Sequence, residues 1–434
     1  MSFIIFISFL FFVVREFTWT EMFLMVRLFY YSFMYKNTST NQRLVADLIS
    51  KLGIIPVKLC QWMGYFLKIK YEQHERYQLI LDTLPYLQAK CDFKKPIMLE
   101  AKIEEYKHVI KDYEKIPISA ASIAQIYKGT TYDGKEIAIK IKHDGIEENI
   151  KRWEKILKEI LRFVDLHINL EHFFKNIRDQ VDLKKEGENL QMFHRFYRKN
   201  KAIRVPGYID GDSDILIMEF VHSENFVTLK HTLSEEDIEY YTKVSRIMYQ
   251  DNIFIKDIIH MDLHNGNWGV DVEKKQIVLY DFGWVLKDQS DFKRFFILTQ
   301  VGRYGAMDFF LKKYELSDGN NLLRSFVNEI CDDRTIDTLY GIRLVLKMFP
   351  NEFVMDNFMF CVLSLCVFIS SLTDQIDDPS TYVDEQIQFM EQHQFFLPLC
   401  TLMKHLRKPE TRQQLETWCH QIQTSEDDLC VLQV

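Results

Sequence analysis

No two of the eight cysteines in this 434-residue chain form a C-x-x-C pair. That argues against a zinc ribbon and a disulfide framework and suits a reducing, intracellular compartment. An excess of basic residues is lacking too. Lys and Arg number 54 against 62 Asp and Glu, for a formal charge of -8 and a pI near 5.9, so nucleic acid, which demands a basic face, is not an expected partner. The longest apolar runs fall short of the ~20 residues that span a bilayer. The N-terminus lacks the basic stretch and small-residue cleavage site of a secretory signal.

What is present is ample apolar material, 47% of residues, enough for one large or two to three modest domains. Phe3 to Val14 is apolar except for Ser8, and Met22 to Tyr35 is nearly so, with Arg15, Glu16 and Glu21 between them. This segment is expected either to make peripheral or anchored membrane contact or to pack on the domain. Phe358 to Leu372 reads as a buried core helix, being below spanning length.

Chemistry enters at His260-Met261-Asp262-Leu263-His264-Asn265-Gly266-Asn267, followed by Tyr280-Asp281-Phe282-Gly283. In phosphoryl transfer of the kinase type, a loop Asp orients the nucleophile, an Asn binds one Mg2+, and the Asp of Asp-Phe-Gly binds Mg2+ on the phosphates. Asp262 and Asn267 stand five apart, as that pattern requires, and Asp281 follows fourteen residues later. The apolar runs Trp268 to Val270 and Gln276 to Tyr280 flank the charged turn Asp271 to Lys275, a hairpin that would deliver Asp281 beside Asn267. A lone Asp near Gly or Asn is usually a turn residue; two motifs at this spacing override that reading.

Upstream, small residues from Ser119 to Ala124 enter a hairpin whose second strand alternates Ile137, Ile139 and Ile141 with Ala138, Lys140 and Lys142. Lys140 would point away from the isoleucine face, where it can hold phosphate oxygens if a helix Glu fixes its stem. Lys58, Gln61 and Tyr65 share one face of an amphipathic helix that starts near Pro56.

These motifs together resemble the UbiB, or aarF-domain, group of atypical protein-kinase-like proteins over roughly residues 50 to 300. Lys58 to Gln61 is similar to the family's K-x-G-Q, and Ala120, Ala121 and Ser122 to the Ala-rich loop that replaces a Gly-rich one. Ala138-Ile139-Lys140 resembles its lysine strand, Gln180-Val181-Asp182 its E-x-D element, and Leu216 to Val221 its hinge. Cys60 stands where the family has Gly, and Gln180 where it has the first acid.

The resemblance implies an α+β, two-lobed protein-kinase-like fold with a helical N-terminal extension and a mostly helical C-terminal lobe. Its divisions would be 1–48 (apolar segment), 49–115 (extension), 116–222 (N-lobe with helical insert) and 223–434 (C-lobe). It implies ATP and Mg2+ as cofactors. Lys140 and Glu186 would position phosphates, Asp262 orient the nucleophile, and Asn267 and Asp281 hold the metal. Ala120, Ala121, Ser122, Glu219 and Val221 would line the adenine nucleotide site, and Lys58, Gln61 and Asp182 form a regulatory lid. The acceptor would be a lipid or small molecule; the alternative is a nucleotide-responsive scaffold with weak turnover. Neither a Gly-rich loop nor an Ala-Pro-Glu segment is present, which weighs against an ordinary protein kinase.

Overall fold

The computed structural model describes residues 15–34, 38–60, 82–83, 86, 96–120, 123–161, 170–263, 266–301, 313, 356–372, 379–406 and 408. Two compact units account for the chain, the first comprising Met1–Leu233, His260–Val285 and Asn351–Ser371, the second Ser234–Ile259, Leu286–Pro350 and Leu372–Val434.

The first unit begins with helices α1 (Trp19–Met34), α2 (Ser39–Lys51) and α3 (residues 54–60). Thr38 caps α2 by accepting the Asn41 N–H at 3.3 Å. Val45, Ala46, Ile49 and Val57 bind α2 to α3 in an apolar cluster, with Leu28, Tyr31, Cys60 and Tyr86 packed on it.

After α4 (Leu99–Glu105) come the strands β1 (Ile110–Tyr113), β2 (Ser119–Ala120), β3 (Ala124–Thr131), β4 (Glu136–Lys142), β6 (Tyr208–Gly211) and β7 (Ile215–Glu219). They form one antiparallel sheet in the order β1-β3-β4-β7-β6, with β2 on β3. The expected hairpin is β3–β4, closed by a turn in which Gly134 adopts φ +80°, a region favouring glycine.

Ile137, Ile139 and Ile141 share the core with Tyr106, Tyr113, Tyr127, Ile215 and Ile217. The opposite face of β4 is buried as well, because helix α7 (Leu183–Tyr197) packs across β6 and β7. Alternation in β4 therefore separates two interiors rather than core from solvent.

Between β4 and β6 run α5 (Ile146–Leu161), α6 (Leu170–Gln180) and α7 (Leu183–Tyr197). The helical insert expected within 116–222 thus includes a helix to Leu161, with 162–169 outside the described residues. A second sheet, ordered β5-β11-β10-β8, joins β5 (Ile203–Arg204), β8 (Glu224–Asn225), β10 (Trp268–Asp271) and β11 (Gln276–Leu279). The β10–β11 hairpin pairs Trp268 with Leu279 and Asp271 with Gln276. The apolar helix Asn357–Leu372 buries Phe358, Met359, Phe360, Cys361, Val362, Leu365 and Phe368. Among the described residues, no helix is long and apolar enough to cross a membrane.

The described part of the second unit is mainly helical, with Glu235–Phe254, Ser290–Val301, Pro379–His393 and Leu397–Leu406. Ser234 caps the first of these, where Glu235, Glu236 and Asp237 complement the helix dipole. Tyr240, Phe389, His393 and Phe395 form an aromatic contact within it.

Candidate active site

Lys140 emerges from β4 toward α7, and its Nζ donates to Glu186 Oε1 at 2.7 Å and to Asp281 Oδ2 at 2.9 Å. Glu186 lies on the first turn of α7, a helix started by Asp182, whose carboxylate accepts the Lys184 N–H at 3.1 Å. Asp281 follows β11. Burial works against the Lys140 ammonium, yet the two carboxylates outweigh it and raise its pKa.

The carboxylates respond differently. Burial pushes Glu186 up to about 7 while Lys140 draws it back. Asp281 also feels burial, but Lys140 and the Gly283 N–H, 2.9 Å from Oδ1, hold it well below the usual carboxylate range. The contrast follows the neighbours: the Asp281 charge pushes Glu186 further up, whereas at Asp281 the Lys140 charge and the Gly283 N–H prevail over burial. A Cβ at Gly283 would lie 3.2 Å from Asp281 Oδ1, so a side chain there would make that carboxylate oxygen shift.

Asp262 lies in the loop after β9 (Ile258–His260). Asn267 Nδ2 donates to the Asp262 carbonyl at 2.7 Å, leaving its amide oxygen as the atom available to a metal. The Tyr280 N–H donates to the Asn267 carbonyl at 3.0 Å, so the hairpin brings Asn267 alongside Asp281. Hard oxygen donors of this kind suit Mg2+, which is typically held by one or two carboxylates with substrate phosphates. Lys140 carries one positive charge and Asp281 is ionised, so near neutral pH the half-ionised Glu186 decides the net charge of the cluster.

The lid residues divide. Lys58, buried on α3, reaches Asp262 Oδ2 at 3.3 Å, whereas Asp182, grouped with it in the expected lid, serves as the cap of α7. Gln180 is buried, and among the described residues its Nε2 has no hydrogen-bond partner; a carboxylate there would need compensation. Cys60 points into the α2 cluster, where burial pushes its thiol to about 11. Gln61, Tyr65, Ala121 and Ser122 lie outside the described residues, while Ala120 pairs with Gln125 in the β2–β3 ladder.

Residues 85–302, half of the chain, match the ABC1 atypical kinase-like domain. The chain belongs to the ABC1 atypical kinase-like family. The UbiB and aarF-domain proteins it resembles in its motifs are among its relatives, and its α+β fold is kinase-like. It is 25% identical over 244 residues to AarF domain-containing protein kinase 1 of Gallus gallus, covering 52% of this chain and 46% of that one. Probable protein kinase UbiB of Xylella fastidiosa is 26% identical over 198 residues, covering 39% and 34%. Probable serine/threonine-protein kinase abkD of Dictyostelium discoideum is 25% identical over 276 residues, covering 58% and 38%. The chain thus spans between a third and a half of the length of these curated relatives. A solved structure of a Mycobacterium tuberculosis protein in complex with erythromycin is 16% identical, with a TM-score of 0.41, and covers 69% of this chain and 90% of that one.

Several residues around the family site escape sequence reasoning. His260 Nε2 lies 2.6 Å from the Asp281 carbonyl, so that nitrogen carries the proton and ties the loop to the Asp-Phe-Gly segment. Ser364 donates to the His260 carbonyl at 3.3 Å, and Asn189 to the Phe282 carbonyl at 3.0 Å. The Glu219 carboxylate pairs with Arg204 and accepts the Gly207 N–H at 3.0 Å, which leaves backbone groups as its contribution to a hinge. Of His260, Ser364 and Asn189, only His260 was hinted at, by its place in the motif, whereas Glu219 was expected at the hinge.

Proposed function

We propose that this member of the ABC1 family is a Mg2+-dependent, ATP-binding phosphotransferase or ATPase that acts on a lipid or small-molecule acceptor. The observation that carries this reading is the single ammonium of Lys140 shared by Glu186 and Asp281, which presets a phosphate-binding charge beside a metal-binding carboxylate. Asn267 and Asp281 would hold the metal, whose contribution is to neutralise phosphate charge. Lys140, fixed by Glu186, orients the phosphates, and Asp262 accepts the proton of the attacking hydroxyl. Val221 and the chain beside it offer backbone groups to adenine. Lys58, resting on Asp262, must leave before an acceptor hydroxyl takes its place.

Thermal stabilisation by ATP with Mg2+, followed by product analysis, tests the proposal. The parent protein should be stabilised, and Asp281→Asn should lose most of the Mg2+-dependent part. No stabilisation of the parent, or an unchanged response in the variant, would overturn the assignment.

A further inference from the structure

Tyr280 is unused by the chemistry above, yet it is anchored through both its backbone and its hydroxyl. Its backbone N–H is held by the Asn267 carbonyl, beside the metal-binding oxygens. Its phenolic oxygen lies 2.8 Å from Ser223 Oγ, and Ser223 Oγ donates to the Val221 carbonyl at 3.4 Å. A serine hydroxyl has one proton. With that proton given to Val221, the phenol must donate to Ser223, and the relay runs from Tyr280 through Ser223 to the hinge carbonyl.

Gly269 makes room for the ring. A Cβ at Gly269 would lie 1.9 Å from the phenolic oxygen, 2.9 Å from Cζ and 2.5 Å from the Glu224 carbonyl, so a side chain there would expel the ring. Gly269 is not among the positive-φ glycines, and it pairs within the sheet with Val278 and Asn225. A glycine inside a strand weakens it and often marks a close approach. Space for Tyr280 is the compensation.

The geometry points to Tyr280 as a nucleoside-binding residue, its ring lining the floor of the base and sugar site and its hydroxyl fixing the distance between hinge and metal ligands. This rests on the nucleotide reading above. A nucleotide running from Val221 to Asp281 spans the same two points as Tyr280, so its planar base and sugar, rather than its triphosphate, meet the ring. Aromatic side chains offer a flat surface that bases favour.

Calorimetric titration of the full chain with Mg2+–ADP and with Mg2+–tripolyphosphate, which has phosphates and no nucleoside, tests this. Ser223→Ala and Tyr280→Phe each break the relay and should weaken ADP about three- to tenfold, the value of one hydrogen bond, with no further loss in the double variant. Tyr280→Leu removes the ring and should cost about tenfold or more. All should bind tripolyphosphate as the parent does. Parental ADP affinity in both Tyr280→Phe and Tyr280→Leu would sink the inference while leaving the nucleotide reading intact, and so would an equal loss for both ligands. A parent that binds neither ligand takes both down.

Discussion

Lys140 and Glu186 are buried and separated by 46 positions in the chain, so each is costly without the other. Breaking a buried pair by removing one partner typically costs about 3–5 kcal/mol. Lys140→Ala and Glu186→Ala should each abolish turnover, and the double variant should lose little more, with a coupling in stability of about 0.5–3 kcal/mol. Additive losses in a double-mutant cycle would count against the pairing. Lys58 poses the opposite case, because its ammonium sits on Asp262, the carboxylate proposed above to receive a proton. A positioned general base contributes roughly 10²–10⁴ in rate, and partial blockage hides part of it. Lys58→Met should therefore raise nucleotide hydrolysis about tenfold in a coupled assay; a fall would show that Lys58 aids turnover. The motifs made Lys140, Asp262, Asn267 and Asp281 readable because their spacing in the chain reflects one loop and one hairpin. The pairing of Lys58 with Asp262 was not readable, since the two lie 204 positions apart and are brought together by packing that no local pattern records.

At the level of elements, α1 is fastened to α5 by Arg152, which donates to Glu21 Oε1 at 2.5 Å and to the Glu16 carbonyl at 2.7 Å, with Phe17 edge-on to Trp153. Arg152 holds the Glu21 carboxyl down to about 2 from 4.5, against the effect of burial. A lowered carboxylate pKa stabilises the docked state above pH 4.5, and that contribution fades as pH falls from 4.5 toward 2. Hydrogen exchange across residues 19–34 should accelerate over this window beyond its intrinsic pH trend. Glu21→Gln should be fast throughout, and identical profiles in parent and variant would refute the role of this pair. On α3, Cys60→Gly removes a side chain from the α2 cluster and places glycine in a helix, a penalty of about 1 kcal/mol before packing is counted. Exchange at residues 54–60 should rise; unchanged protection would show that the thiol contributes nothing there. The β3–β4 and β10–β11 hairpins were legible from alternation and turn chemistry. Burial on both faces of β4 was not, because it depends on α7, which arrives forty residues later.

Across the whole molecule, the outer face of α1 presents Trp19, Phe23, Val26 and Tyr30, exposed by 82%, 60%, 65% and 49%. Their spacing of four, three and four puts them in one row. A row flanked by Trp and Tyr, next to the apolar sequence Phe3 to Val14, suits the lipid–water interface. Full-length protein should co-sediment with phosphatidylcholine vesicles with a blue-shifted tryptophan emission, and Trp19→Asp combined with Phe23→Asp should lose at least about tenfold in partitioning. Equal sedimentation of parent and variant would reject a lipid face, and a concentration-dependent dimer in light scattering would assign the row to a second copy.

The distances along the chain also set an order of assembly. Asp281 lies 141 positions after Lys140, and Asp262 lies 204 after Lys58, whereas β3 and β4 join across a turn of a few residues. Closing a loop costs entropy that grows with the logarithm of its length, and distant contacts slow folding. During refolding, or as the chain leaves the ribosome, β3–β4 can pair while the ligands for the phosphates are still apart. In pulse-labelled refolding, amides of residues 124–142 should gain protection before nucleotide binding returns, leaving an interval in which Lys140 is already on its strand with neither carboxylate to meet it.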